Sequence, residues 1–151
     1  MLKALRDKLT TALGQSASEA PEAREDALRL ATATLLIEIV RADYREDLTE
    51  NEAVFAQLKR HFELKDDEVL MLVKQAEQEA DRAVTLQGFT RLLHEQLSTV
   101  EKHTVIEMLW RVALADDHLD KHEDYLVRKV ADLLYVSHAD LIRIRNIVMG
   151  R

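Results

Sequence analysis

Residues that break helices are almost missing from this chain. Its 151 residues hold 3 glycines and 1 proline. Leu, Ala, Glu, Arg and Lys dominate the remainder, and these side chains lose little freedom in a helix. A sheet protein needs frequent turn residues and alternating β-branched runs. Here apolar residues instead return every three or four positions, so that each segment turns one stripe toward a core. The pattern predicts an all-α fold, a compact orthogonal bundle of about seven helices. The length suits one domain with a core that needs no covalent staples.

With 0 cysteines, disulfides, thiolate catalysis and cysteine-ligated metal centres are excluded. The formal net charge of −7 disfavours a general nucleic-acid binder, which needs a broad basic surface. No apolar run reaches the roughly 18 residues of a membrane span, so no transmembrane segment is expected. A cytoplasmic location is the default reading.

One linker stands out, Gly14-Gln15-Ser16-Ala17-Ser18-Glu19-Ala20-Pro21. It is small and polar, and its proline suits a first helical turn. It divides an amphipathic N-terminal arm with its linker (1–21) from a helical domain (22–151). In the arm, Leu2, Leu5, Leu9 and Leu13 share a helical face, with Lys3, Arg6 and Lys8 between them. The segment lacks the continuous apolar core of a signal peptide. Three bases and one acid imply only weak peripheral membrane contact.

Helix starts are marked by caps. A first helix is expected over about 22–43. Thr49 and Glu52 have the spacing of a capping box, as do Ser98 and Glu101, and Asp120 and Glu123 form an Asp-x-x-Glu variant. Asp66-Asp67-Glu68 opens another helix, with acids at the positive end of the dipole. A shorter helix is expected over 86–96, and Ser137 caps the last one. The apolar stripes include Val69, Leu70, Leu72 and Val73, then Tyr125, Leu126 and Val130, then Leu141, Ile144 and Ile147. Trp110 falls at helical spacing with Ile106 and Ala113 and is assigned to the core.

Two segments resemble each other. Leu36-Ile37-Glu38-Ile39-Val40-Arg41-Ala42-Asp43 leads through Leu48 and Glu52 to Phe62-Glu63-Leu64. Leu109-Trp110-Arg111-Val112-Ala113-Leu114-Ala115-Asp116 leads through Leu119 and Glu123 to Leu134-Tyr135-Val136. The offset drifts from 73 to 71 to 72, so the match needs two small gaps. The pattern implies two pseudo-repeated helical hairpins around one core.

The second segment carries a family resemblance. Ala115-Asp116, Leu119-Asp120 and Glu123 on an apolar helix are similar to the Ala-Asp-Gly-x-Leu-Asp-x-x-Glu signature of the TerB-like, tellurite-resistance family, and Val130 to Ser137 continues it. The resemblance extends over about 25–148. It departs at Asp117, where the family has Gly, and in the longer first turn, Tyr44-Arg45-Glu46-Asp47. It implies an all-α domain in a stress or tellurite resistance setting, with acids in a divalent-metal role.

The acids themselves are clustered. Residues 38–52 hold six acids and two bases, and residues 113–124 hold five acids and one base, −4 in each case. Carboxylates on short turns are the hard oxygen donors that Ca²⁺, Mg²⁺ or Mn²⁺ takes, often with waters retained. The candidate ligands are Asp43, Asp47, Glu52, Asp116, Asp120 and Glu123. Neither turn has the twelve-residue EF-hand pattern. Capping and solvation account for Glu52, Asp120 and Glu123 equally well. Asp43 and Asp116, at the ends of apolar helices beside the negative dipole end, are what capping leaves over.

Zn²⁺ is the lesser alternative. His118 and His122 are four apart, but a helix starting after Asp120 leaves His118 in the turn. Glu38 interrupts an apolar run and Arg111 holds the matching repeat position. A Glu38–Arg111 pair is one reading, and pairing of Glu38 with Arg41 or another base is the simpler one. No glycine-rich phosphate loop and no nucleophile with a paired base occur, so a non-enzymatic module is expected. Its two readings are a divalent-cation site and a scaffold whose acidic faces dock a basic protein partner without metal.

Overall fold

Helix α1, Pro21–Ala42, shows little amphipathic bias because its stretch 27–40 is covered almost all round. From Ala27 to Val40 only Arg29 and Glu38 keep partial access to solvent. A helix of this kind has to sit inside a bundle. Five others pack on it: α2 (Leu48–Phe62), α3 (Asp66–Arg82), α4 (Gln87–Gln96), α5 (Thr99–Ala113) and α6 (Lys121–Leu133). The last helix, α7 (His138–Val148), packs on α5 and α6. This is a computed structural model, and it describes residues 21–42, 48–82, 86–115 and 119–150. Among them are seven helices and no strand, the all-α bundle expected. None of these helices is long and apolar enough to cross a membrane.

The buried polar residues of α1 cost little. Thr32 and Thr34 donate their hydroxyls to Leu28 O at 2.9 Å and Leu30 O at 2.7 Å on the same helix. Each hydroxyl is thus satisfied by the turn before it. The core continues through Phe89 and Leu93 of α4 and Ile106, Leu109 and Trp110 of α5, all fully buried. Trp110 donates its indole N–H to Leu141 O at 3.2 Å, which ties α5 to α7. That is the packing role expected of it.

Caps decide where the helices begin. Ser98 and Glu101 form the reciprocal capping box at α5, with bonds of 3.2 and 2.9 Å. Ser137 accepts from Asp140 N at 3.1 Å and starts α7. Thr49 differs from expectation. Helix α2 already begins at Leu48, so Thr49 lies within its first turn and does not cap it.

Two helices end alike. Glu63 and Tyr135 take left-handed φ values of 54° and 59°. The residue after each closes a hydrogen bond back over the last turn, Leu64 N to Lys59 O at 3.0 Å and Val136 N to Ala131 O at 2.9 Å. Leu64 and Val136 are buried. This closure places an apolar side chain under the helix end and satisfies a terminal carbonyl. It uses a non-glycine residue at a conformation that costs roughly 1–2 kcal/mol.

The stripes were only partly legible. Leu70, Tyr125 and Ile147 are exposed, although they continue apolar runs. Each lies beside the inward row of its helix, on a flank that no described element covers.

Candidate functional site

The second acidic turn ends in a built structure. Asp120 is the N-cap of α6 and Glu123 is its third residue. Asp120 Oδ1 accepts the His122 N–H at 2.7 Å, and Glu123 Oε1 accepts the Asp120 N–H at 3.3 Å. The two carboxylates are therefore held at the same helix start, where the dipole favours negative charge. Glu123 is fully buried, at 0% exposure. An ionised carboxylate at such depth needs compensating charge or several hydrogen bonds. Asp120 is half-buried and Asp124 pairs with Arg128 at 2.8 Å.

The first turn is built differently. Glu52 lies in the second turn of α2 and is exposed. Asp43, Asp47 and Asp116 lie outside the described residues. Of the six candidate ligands, then, Asp120 and Glu123 are brought together and Glu52 stands on another helix. Among the described residues no group of three or more His, Asp or Glu side chains converges as a metal cage. Helix α5 stops at Ala113, with Leu114 and Ala115 turning away from it. His118 is also outside the described residues, and His122 is exposed.

The Glu38–Arg111 pair is not formed, in line with the simpler reading of a nearer base for Glu38. Arg111 reaches Glu107 on its own helix at 3.2 Å. Glu38 has Arg41 and Asp81 as its charged neighbours. Burial pushes its carboxyl above the usual range, Arg41 pulls it down, and Asp81 adds to the rise. Arg41 itself bridges to Asp81 at 2.6 Å, joining the C-terminal ends of α1 and α3. Local partners win because Arg111 and Glu107 are one turn apart on one helix, which needs no long side chain to be ordered across the core.

Two features escaped sequence reasoning. Glu79 is buried on α3, and its Oε2 has no hydrogen-bond partner among the described residues. The signal was present: position 79 continues the inward row 69, 72, 76 at helical spacing. The other is a groove between α1, α2 and α3, lined by Ile37, Arg41, Asn51, Val54, Val73 and Glu77 among others.

Other titrating groups belong to surface chemistry. Asp140 is held below the usual carboxylate range, first by the Ser137 hydroxyl and then by Arg143. Burial lowers the His61 imidazole, and Glu101 opposes the shift.

No curated protein and no solved structure matches the chain. The family model described as tellurite resistance protein TerB matches residues 29–146. That span runs from the first turns of α1 to the end of α7 and includes both acidic turns. The chain belongs to the TerB family.

Proposed function

We propose that this chain is a non-enzymatic, cytoplasmic domain that binds a divalent cation at its acidic inter-helix turns, within a tellurite or stress resistance setting. The observation that carries the reading is Glu123. It is a fully buried carboxylate at the edge of a turn whose residues 113–124 sum to −4. A cation shared with that turn would draw on the carboxylates that this helix start gathers.

The donor chemistry fits a hard ion. Asp120 and Glu123 offer carboxylate oxygens from one helix start, and each oxygen has more than one lone pair to give. Asp116 from the same turn would add a third donor, with water completing the shell of Ca²⁺, Mg²⁺ or Mn²⁺. Asp43, Asp47 and Glu52 would form the corresponding site of the first turn. Glu52 is exposed on a helix flank, so that second site would be the weaker one.

A second reading is favoured by the capping box. Asp120 and Glu123 each already serve the start of α6, which is sufficient reason for both residues without metal. On that reading the acidic turns dock a basic protein partner, and binding weakens with salt and ignores cations.

Calorimetric titration of Ca²⁺, Mg²⁺ and Mn²⁺ into the full chain and into Asp116→Asn separates the two. The cation reading expects one saturable site in the parent and a clear loss of affinity in the variant. Equal, unsaturable heats in both would leave docking as the function.

A further inference from the structure

The ammonium of Lys102, half-buried on α5, is set against a ring and not against an acid. It donates to His94 Nδ1 on α4 at 2.5 Å. Among the described residues no carboxylate lies within ion-pair distance of it. The chain holds 28 acidic residues against 21 Lys and Arg, so a shortage of acids does not explain the pairing. An ammonium only donates, so His94 Nδ1 accepts and the imidazole carries its proton on Nε2. The neighbour of Lys102 is then itself a donor. A cation drawn partly out of water beside another donor needs an anion from elsewhere.

A cavity of about 390 Å³ opens beside this pair, between α4 and the end of α6. Its size falls in the roughly 300–1,000 Å³ range of small-ligand sites. Arg91, His94 and Glu95 line it from α4, and Tyr135 lines it from the turn after α6. Thr90 lines it too, but its hydroxyl is engaged with Leu86 O and Gln87 O, both at 3.2 Å. Arg91 meets Glu95 only at 3.6 Å, and both are exposed. So loose a surface pair holds weakly, and the guanidinium can turn to a stronger anion.

Tyr135 is the rim. Its left-handed backbone, φ 59°, costs a residue with a Cβ about 1–2 kcal/mol. The residue is 78% exposed, so burial does not offset that cost. Its ring lies 4.4 Å from the His94 ring, tilted by 40°. The contact steadies the imidazole and leaves most of the tyrosine open to a second flat partner.

We propose that this cavity binds a small aromatic phosphate monoester, with the phosphate oxygens on Lys102, His94 and Arg91 and the ring against Tyr135. A phosphate has three strong acceptor oxygens to meet donors from three side chains, whereas a carboxylate has two. The site lies at the far end of α6 from Asp120, a helix length of about 20 Å. The inference therefore stands whether or not a cation binds at the acidic turns.

The test is a titration of phenyl phosphate into the isotope-labelled full chain at constant ionic strength, followed by amide NMR. Saturable shifts are expected at Arg91, His94, Lys102 and Tyr135, with inorganic phosphate binding the same place more weakly. Lys102→Gln removes the charge and keeps a donor for His94, and should weaken phenyl phosphate about tenfold. Tyr135→Leu should weaken phenyl phosphate about threefold and leave inorganic phosphate unchanged. That variant alters an exposed side chain, so it decides the matter even where Lys102→Gln does not fold. No saturable shift, or shifts scattered over surface bases such as Lys59 and Arg143, would overturn the proposal. So would a folded Lys102→Gln variant that binds like the parent. Equal affinity of the parent for the two probes would also overturn it, because Tyr135 would then have no part in binding.

Discussion

The two acidic hairpins differ where they are charged and agree where they are apolar. At their exits, Glu63 and Tyr135 adopt the same left-handed turn and tuck Leu64 and Val136 beneath the helix end. At their entries, Glu52 stands exposed on α2, whereas Glu123 is fully buried at the start of α6. Pattern similarity thus carries over to backbone closure and not to side-chain environment. The backbone closure needs only a helix end and one apolar residue just after the left-handed one. The environment of a carboxylate depends on which neighbours cover the turn, and those differ between the hairpins.

The largest expected effect concerns the anchor that one hairpin has and the other lacks. Trp110 of α5 is fully buried and bonded to α7, while Ile37 holds the matching position on α1. Trp110→Ala should cost about 3–5 kcal/mol in denaturant unfolding, from lost packing and the lost tie to Leu141. Near-parent stability would show that α7 does not depend on this tie.

The two glutamates provide the sharpest contrast. Glu123→Ala removes a buried group and leaves the Asp120 N–H without its cap, an expected loss of roughly 1–3 kcal/mol. Glu52→Ala should fall within about 0.5 kcal/mol, as exposed substitutions do. Equal losses for the two would erase the difference drawn here.

The shared exits predict a gain. Glu63→Gly should stabilise by about 1 kcal/mol because glycine adopts the left-handed conformation without its Cβ penalty. Tyr135→Gly should gain less, because it also removes the Tyr135 ring packed 4.4 Å from the His94 ring. Thermal melts of the two variants check the order.

A small, pH-dependent effect belongs to Glu38. Its folded carboxyl titrates above its unfolded value, mainly from burial. The folded state then binds more protons in that window, so wild-type stability falls as pH rises from the ordinary glutamate range through the raised value. Glu38→Gln should therefore be more stable near neutral pH, by less than about 1 kcal/mol, and the gap should narrow as pH falls through that window. A gap that widens in acid would contradict the burial account.

Much of the fold was legible because local signals agreed. Ser98, Asp120 and Ser137 each cap the helix that their sequence neighbourhoods foretold. Thr49 misled because a cap motif cannot reveal whether the helix has already begun one residue earlier. Leu70, Tyr125 and Ile147 misled because an apolar run does not reveal which flank of a helix a neighbour will cover. Of the candidate site, the Asp120–Glu123 pairing was legible through its spacing. The depth of Glu123 was not, since burial arises from the packing of separate helices around the turn.

The most direct test is a cation titration followed by backbone-amide NMR on the isotope-labelled chain, with Ca²⁺, Mg²⁺ and Mn²⁺ in turn. The account predicts saturable changes that begin at the amides of Asp120 and Glu123 and spread through the 116–123 turn, with weaker changes near Glu52. Saturation should come well below millimolar metal, as it does for sensor-grade sites with affinities of about 10⁻⁷–10⁻⁵ M. Spectra that stay unchanged up to millimolar cation would contradict it, and would leave Asp120 and Glu123 as the cap of α6 alone.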